Sequence, residues 1–126
     1  MKPISKTIEF VRGDTYYISR YFKDKQKNPL NIDPETDDIT FTMKQNVDAS
    51  TVLIKKTLSD GGITIAEDGK VRITLNSRDT KDLEFGKYGY DIQITVGKDE
   101  VNPFVRTPES GKIKLLSKDF SANGGA

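Results

Sequence analysis

The sequence predicts an all-β chain of about seven to nine short strands folded as a two-sheet sandwich with at most one short helical turn. Three observations predict it. Several segments alternate apolar and polar residues at period two, as Ile39-Thr40-Phe41-Thr42-Met43-Lys44 and Val71-Arg72-Ile73-Thr74-Leu75 do, which is the pattern of a half-buried strand. Turn formers recur between these runs at strand-length intervals. No long segment repeats at the helical period, so a βαβ arrangement has no crossover helices to use.

Taken in order, Ile8-Glu9-Phe10 and residues 15–22 read as the first strands, with Tyr16 and Ile18 sharing a face. Arg12-Gly13-Asp14 lies between them, and Gly13 and Asp14 are what a tight turn or bulge requires. Asn28-Pro29 and Asp33-Pro34 are turns ahead of the strand 39–44. Residues 48–51 and Asp60-Gly61-Gly62 read as loops. Asp68-Gly69 tolerates positive φ, which makes residues 63–75 a hairpin. Only residues 77–83 look helical, a single turn capped by Ser77 or Asp79 and stopped by Gly86. Residues 88–96 form the longest strand, Gly97-Lys98-Asp99 turns, and Ile113-Lys114-Leu115 alternates again. Pro103 cannot donate to a ladder, so Asn102-Pro103-Phe104-Val105 reads as an edge strand.

The segment Leu83-Glu84-Phe85-Gly86-Lys87-Tyr88-Gly89-Tyr90 refines the class to an immunoglobulin-like antiparallel sandwich. An acidic residue, a glycine and a tyrosine recur there at two-residue steps, as they do ahead of the penultimate long strand of such domains. Tyr88 takes the place of the corner tyrosine, whose hydroxyl bonds to backbone a few residues upstream, and Tyr90 falls where antibody domains carry a cysteine. The plainer alternative is that both tyrosines fill a core face. Residues 1–120 are expected to form one domain, with 121–126, rich in small residues, as a flexible tail.

Composition removes several functions. The 126 residues contain 20 Lys plus Arg against 19 Asp plus Glu and no basic run, so no phosphate-neutralising surface for nucleic acid stands out. Cysteine and histidine are absent, which removes disulfides, thiol nucleophiles, the usual zinc ligands and the commonest general base. No catalytic residue, cofactor or metal is predicted, and the chain is read as not an enzyme. Asp33, Glu35, Asp37 and Asp38 are the densest acidic cluster, but their spacing is not that of a calcium loop and a solvated loop is the simpler account. No apolar run reaches the roughly 20 residues that span a bilayer, and the N-terminus lacks the apolar core of a secretion signal, so synthesis in the cytoplasm is expected.

Two features suggest binding. Tyr16, Tyr17, Tyr21 and Phe22 crowd one stretch, and a strand with aromatics on both faces can meet the core on one and a neighbouring chain on the other. Loops of the same chain could equally cover Tyr17 and Tyr21. Pro103 and Phe104 at the expected edge are the other partner-binding candidates. Arg12-Gly13-Asp14 is also the tripeptide that integrins read, against which stands its ordinary role as a turn.

The run Phe10-Val11-Arg12-Gly13-Asp14-Thr15-Tyr16-Tyr17-Ile18, the Asn28-Pro29-Leu30 turn with strand 39–44, and Leu83-x-x-Gly86-x-Tyr88-x-Tyr90-Asp91-Ile92 resemble small structural proteins of tailed phages and prophages. They are most similar to the immunoglobulin-like N-terminal domain of baseplate upper proteins. The resemblance implies a virion component in a tail, baseplate or capsid surface, present in many copies, that contacts other virion proteins and has no catalysis of its own. A carbohydrate- or receptor-binding module using Tyr17, Tyr21 or Phe104 as a stacking platform is the alternative.

Overall fold

The structure, a computed structural model, describes residues 4–23, 26–46 and 48–117, so the expected tail at 121–126 lies outside the described residues. Eight strands and one helical turn follow one another: β1 (Ile4–Val11), β2 (Tyr16–Arg20), β3 (Asp38–Lys44), β4 (Val52–Thr57), β5 (Ile63–Ile65), β6 (Val71–Leu75), α1 (Ser77–Thr80), β7 (Gly86–Val96) and β8 (Phe104–Leu116). They form a five-stranded sheet in the order β1-β8-β7-β3-β4 and a three-stranded sheet in the order β2-β6-β5. The chain is an all-β sandwich.

Period-two alternation places the core. In β3, Ile39, Phe41 and Met43 are fully buried, and in β7 their register partners Ile94, Ile92 and Tyr90 point the same way. The three-stranded sheet answers with Ile18, Ile63, Val71, Ile73 and Leu75. Phe41 and Tyr90 stack at 5.8 Å between ring centroids, and Phe10 stacks on Tyr16 at 4.6 Å. Side chains of this size each contribute about 1.5–3 kcal/mol on burial, so the interior between the sheets is the main source of stability.

Three local expectations need correction. The sandwich is not wholly antiparallel, because β1 pairs with β8 in parallel, from Ile4 opposite Glu109 to Val11 opposite Leu116. The Arg12-Gly13-Asp14 turn carries the chain from one sheet to the other instead of closing a hairpin, which leaves β1 beside the last strand and running in its direction. The helical turn is capped by Asn76, one residue earlier than expected, and Asp79 supports it from inside by accepting the Asn76 backbone N–H at 2.7 Å. Pro103 lies just before β8, and that strand is not an edge throughout: it sits between β1 and β7 over residues 109–116, whereas residues 104–108 pair with β7 alone among the described strands.

Two elements are longer or newer than the pattern suggests. β4 carries no alternation to mark it, because Val52, Leu53 and Ile54 are consecutive and only Ile54 turns inward. β8 joins the 102–105 segment to the 113–115 segment through Thr107 and Pro108, which together oppose Gln93 where the β7–β8 register shifts. Gly111 allows β1 to dock, since a Cβ built there would fall on the Lys6 backbone carbonyl. We predict that Gly111→Ala lowers stability by about 1–3 kcal/mol, the range for overpacking. Urea denaturation measures the loss, and hydrogen exchange should show β1 amides unprotected first; an unchanged midpoint would contradict this account.

Candidate functional site

One polar network ties the sheets at their centre. Glu109 in β8 is 2% exposed. Its carboxylate accepts hydrogen bonds from Arg20 Nε at 2.7 Å and Nη2 at 3.1 Å, and from the Tyr90 hydroxyl at 2.6 Å. Arg20 ends β2 in the opposite sheet and Tyr90 lies in β7, so one carboxylate bridges three strands. The two-pronged hydrogen bonding from Arg20 is the strong form of this contact, and it raises the guanidinium pKa above its ordinary value. Burial, then the hydrogen bond to Glu109, push the Tyr90 phenol well above the usual tyrosine range, so it remains a neutral donor.

Tyr88 forms the expected corner. It is buried, and its hydroxyl donates to the Glu84 carbonyl at 2.6 Å. Gly86, at φ +133°, begins β7 between those two residues. The Arg12-Gly13-Asp14 turn braces the same corner. The Arg12 Nη1 donates to the Leu83 carbonyl at 3.0 Å and its guanidinium lies 4.0 Å from the Phe85 ring centroid, while the Gly13 N–H donates to Thr80 Oγ1 at 2.8 Å. Gly13 has φ +85°, where an L side chain is strained, and the exposed Asp14 closes the turn with its N–H to the Val11 carbonyl at 3.1 Å. The arginine of the integrin-like tripeptide is therefore engaged within the chain.

The partner-binding candidates separate into two places. Tyr17 and Tyr21 face outward and are each about half exposed. Arg72 lies 4.7 Å over the Tyr17 ring, and the Tyr21 hydroxyl donates to Asp68 at 2.7 Å. Phe22, by contrast, is half-buried against the core. Phe104 is 64% exposed and is the register partner of Val96, itself exposed, with Val105 on the next rung and Val101 in the connecting turn almost wholly in solvent at 96%. Pro103 is half-buried at the start of this strand. Together Val96, Val101, Phe104 and Val105 make the tip of the β7–β8 hairpin apolar.

That tip is held rigidly by Asp37. Its carboxylate accepts the backbone N–H of Asp33 at 3.0 Å and of Gly97 at 3.1 Å, and the Thr36 hydroxyl at 3.2 Å. Lys98 adds its own N–H to the Thr36 carbonyl at 2.8 Å. The acidic cluster is thus a set of loop braces: Asp33 accepts the Glu35 N–H and Asp38 accepts the Ser59 hydroxyl. Among the described residues no group of three or more Asp or Glu is placed to hold a metal ion.

The signals that reveal this network are present in the sequence but read against the usual rule. Arg20 falls on the inward parity set by Tyr16 and Ile18, and Glu109 on that of Ile113 and Leu115. A charged residue at a core position marks a buried pair.

Two packed sheets, the Tyr88 corner and the Glu109 carboxylate that joins β2 to β7 define an all-β sandwich, and with no cysteine in the sequence its sheets are tied without a disulfide. Compared with known families and curated proteins, the chain matches no family model and no curated sequence.

We predict that Arg20→Met destabilises the domain by about 3–5 kcal/mol, because Glu109 is left buried without its cation, and that Arg20→Met/Glu109→Leu recovers most of the loss. Thermal or urea unfolding of the single and double variants measures both; equal losses would show that packing, not charge, sets the cost. A second expectation concerns acid. Hydrogen bonding, first from the Asp33 N–H, holds the Asp37 carboxyl below the usual carboxylate range. Its contribution is therefore complete above the ordinary carboxylate pKa of about 4 and fades as pH falls through the lowered folded value. Asp37→Asn should be less stable than the parent at neutral pH, with the gap narrowing as pH falls below the ordinary carboxylate pKa of about 4. A gap that stays constant on acidification would remove Asp37 from the acid response.

Proposed function

We propose that this chain is a non-enzymatic structural module of tailed-phage or prophage particles that acts through protein–protein contact, held in several copies against other virion proteins. The observation that carries the contact is the apolar hairpin tip, where Val96, Val101, Phe104 and Val105 stand exposed on a braced turn. A cluster of this kind, presented by a rigid element, has low ordering cost on binding. The virion setting rests on the resemblance of the residue 10–18, 28–30, 39–44 and 83–92 patterns to small phage structural proteins. A fold stabilised by an ion pair and a tyrosine corner also assembles in a reducing cytoplasm, where a disulfide-dependent sandwich does not.

The stacking-platform alternative has less support. Arg72 covers one side of Tyr17, and Asp68 ties down the Tyr21 hydroxyl.

Particles from a host carrying the gene provide the test. The chain should co-purify with particles and be visible on them by antibody labelling in the electron microscope. Phe104→Asp combined with Val101→Asp should abolish incorporation while moving the thermal midpoint by only about 2–3 °C, as exposed substitutions do. Wild-type particles that lack the chain, or full incorporation of the variant, would overturn the reading.

A further inference from the structure

The outer face of the five-stranded sheet carries a second site of a different chemistry. Alternation that sends Tyr88, Tyr90, Ile113 and Leu115 inward sends Lys87, Gly89, Ser110 and Lys112 outward. Register sets their neighbours. Gly89 opposes Lys112, Lys87 opposes Lys114, and Ser5 of β1 opposes Ser110. Lys87 and Lys112 are therefore diagonal neighbours, with Cα atoms about 7–8 Å apart. A depression of about 440 Å³ opens there, lined by both lysines, by Ser5 and Ser110, and by Gln45 and Asn46 just beyond β3. That volume lies within the range of roughly 300–1,000 Å³ typical of small-molecule sites.

Neither lysine of this depression takes part in an ion pair among the described residues, where the pairs are Arg20 with Glu109 and Lys56 with Asp79. Asp91, the next outward residue after Gly89 on β7, is the register partner of Ser110, and burial raises its carboxyl pKa. Ser5, Ser110, Gln45 and Asn46, whose hydroxyls and side-chain amides both donate and accept, line the same depression. Tyr88 also lines the depression, with its hydroxyl bonded to the Glu84 carbonyl.

From this placement we propose that the depression binds an acidic saccharide, its carboxylate between Lys87 and Lys112 and its hydroxyls on Ser5, Ser110, Gln45 and Asn46. The site is separate from the hairpin tip and does not depend on the assembly reading. A carboxylate placed between two ammonium groups makes charge-assisted hydrogen bonds, and hydroxyl and amide groups beside it match a polyol. A single neutral sugar would leave both cations without a partner.

Amide chemical-shift titration and calorimetry of the intact chain test the proposal with a galacturonate disaccharide, with maltose and with a short single-stranded oligonucleotide. The acidic disaccharide should shift Ser5, Gly89, Ser110 and Lys112 and should bind more weakly as salt rises. Lys87→Ala/Lys112→Ala should weaken it at least about tenfold, with the circular dichroism spectrum unchanged. Phe104→Asp should leave this binding intact, which separates the result from the assembly test. Equal binding of maltose, tighter binding of the oligonucleotide at the same residues, no shifts up to millimolar ligand, or indifference to loss of the two lysines would each overturn it.

Discussion

The Arg20–Glu109–Tyr90 network is the constraint around which this sandwich is arranged. Two sheets in contact only through apolar side chains can slide, because dispersion and hydrophobic burial have little directional preference. A buried carboxylate does not permit this. Moved by two residues along the strand, the shortest slip that keeps it facing inward, Glu109 would lose Arg20 and Tyr90 and stand unpaired in the interior, at a cost of several kcal/mol. The network therefore fixes the register of β8 against both β7 and the opposite sheet. The corner at Tyr88, one inward step along β7, anchors the same strand from the other side.

This arrangement frees the periphery to vary. With β7 held by Tyr88 and Tyr90 and its far end held by Asp37 through Gly97, the β7–β8 hairpin leaves the core as a stiff arm. Its tip can remain apolar without collapsing onto the domain, since the backbone that would have to move is bonded at both ends. The outer face of the same sheet is the opposite case. It carries lysines, serines and threonines together with Asp91, Gln93 and Glu9, and a glycine at position 89 interrupts the row of side chains. An apolar tip and a lysine-lined hollow thus sit on one scaffold, the first suited to burying surface and the second to meeting charge.

Much of the fold was legible because β-sheet geometry writes itself into sequence at period two. The strands β3, β6 and β7 and the Asp68-Gly69 hairpin follow from alternation and turn chemistry alone, and the Tyr88 corner from the Glu84-x-Gly86-x-Tyr88 pattern shared with immunoglobulin-type domains. β4 escaped because Val52-Leu53-Ile54 hides its inward residue in an apolar run at a sheet edge, where one face and one flank are open to water. The helix cap moved by one residue because Asn76 and Ser77 are both competent caps, and only the path of the chain leaving β6 chooses between them. The central network was the largest omission. A lone arginine or glutamate is ordinarily a surface residue, and nothing local to Arg20 shows that Glu109, 89 positions away, will stand opposite it.

By itself the amino-acid sequence determined the class of this protein: strands with one apolar face, turns between them, no cysteine or histidine, and therefore a sandwich stabilised by means other than a disulfide. Those properties are local, set by the direction of successive side chains and by backbone preference. The tertiary structure alone decided the parallel seating of β1 on β8, the burial of one carboxylate between two sheets, and which aromatic residues stand in solvent. Each of these depends on which distant segments become neighbours, and that is fixed by the shared interior, where close packing and the desolvation of charge admit a single register.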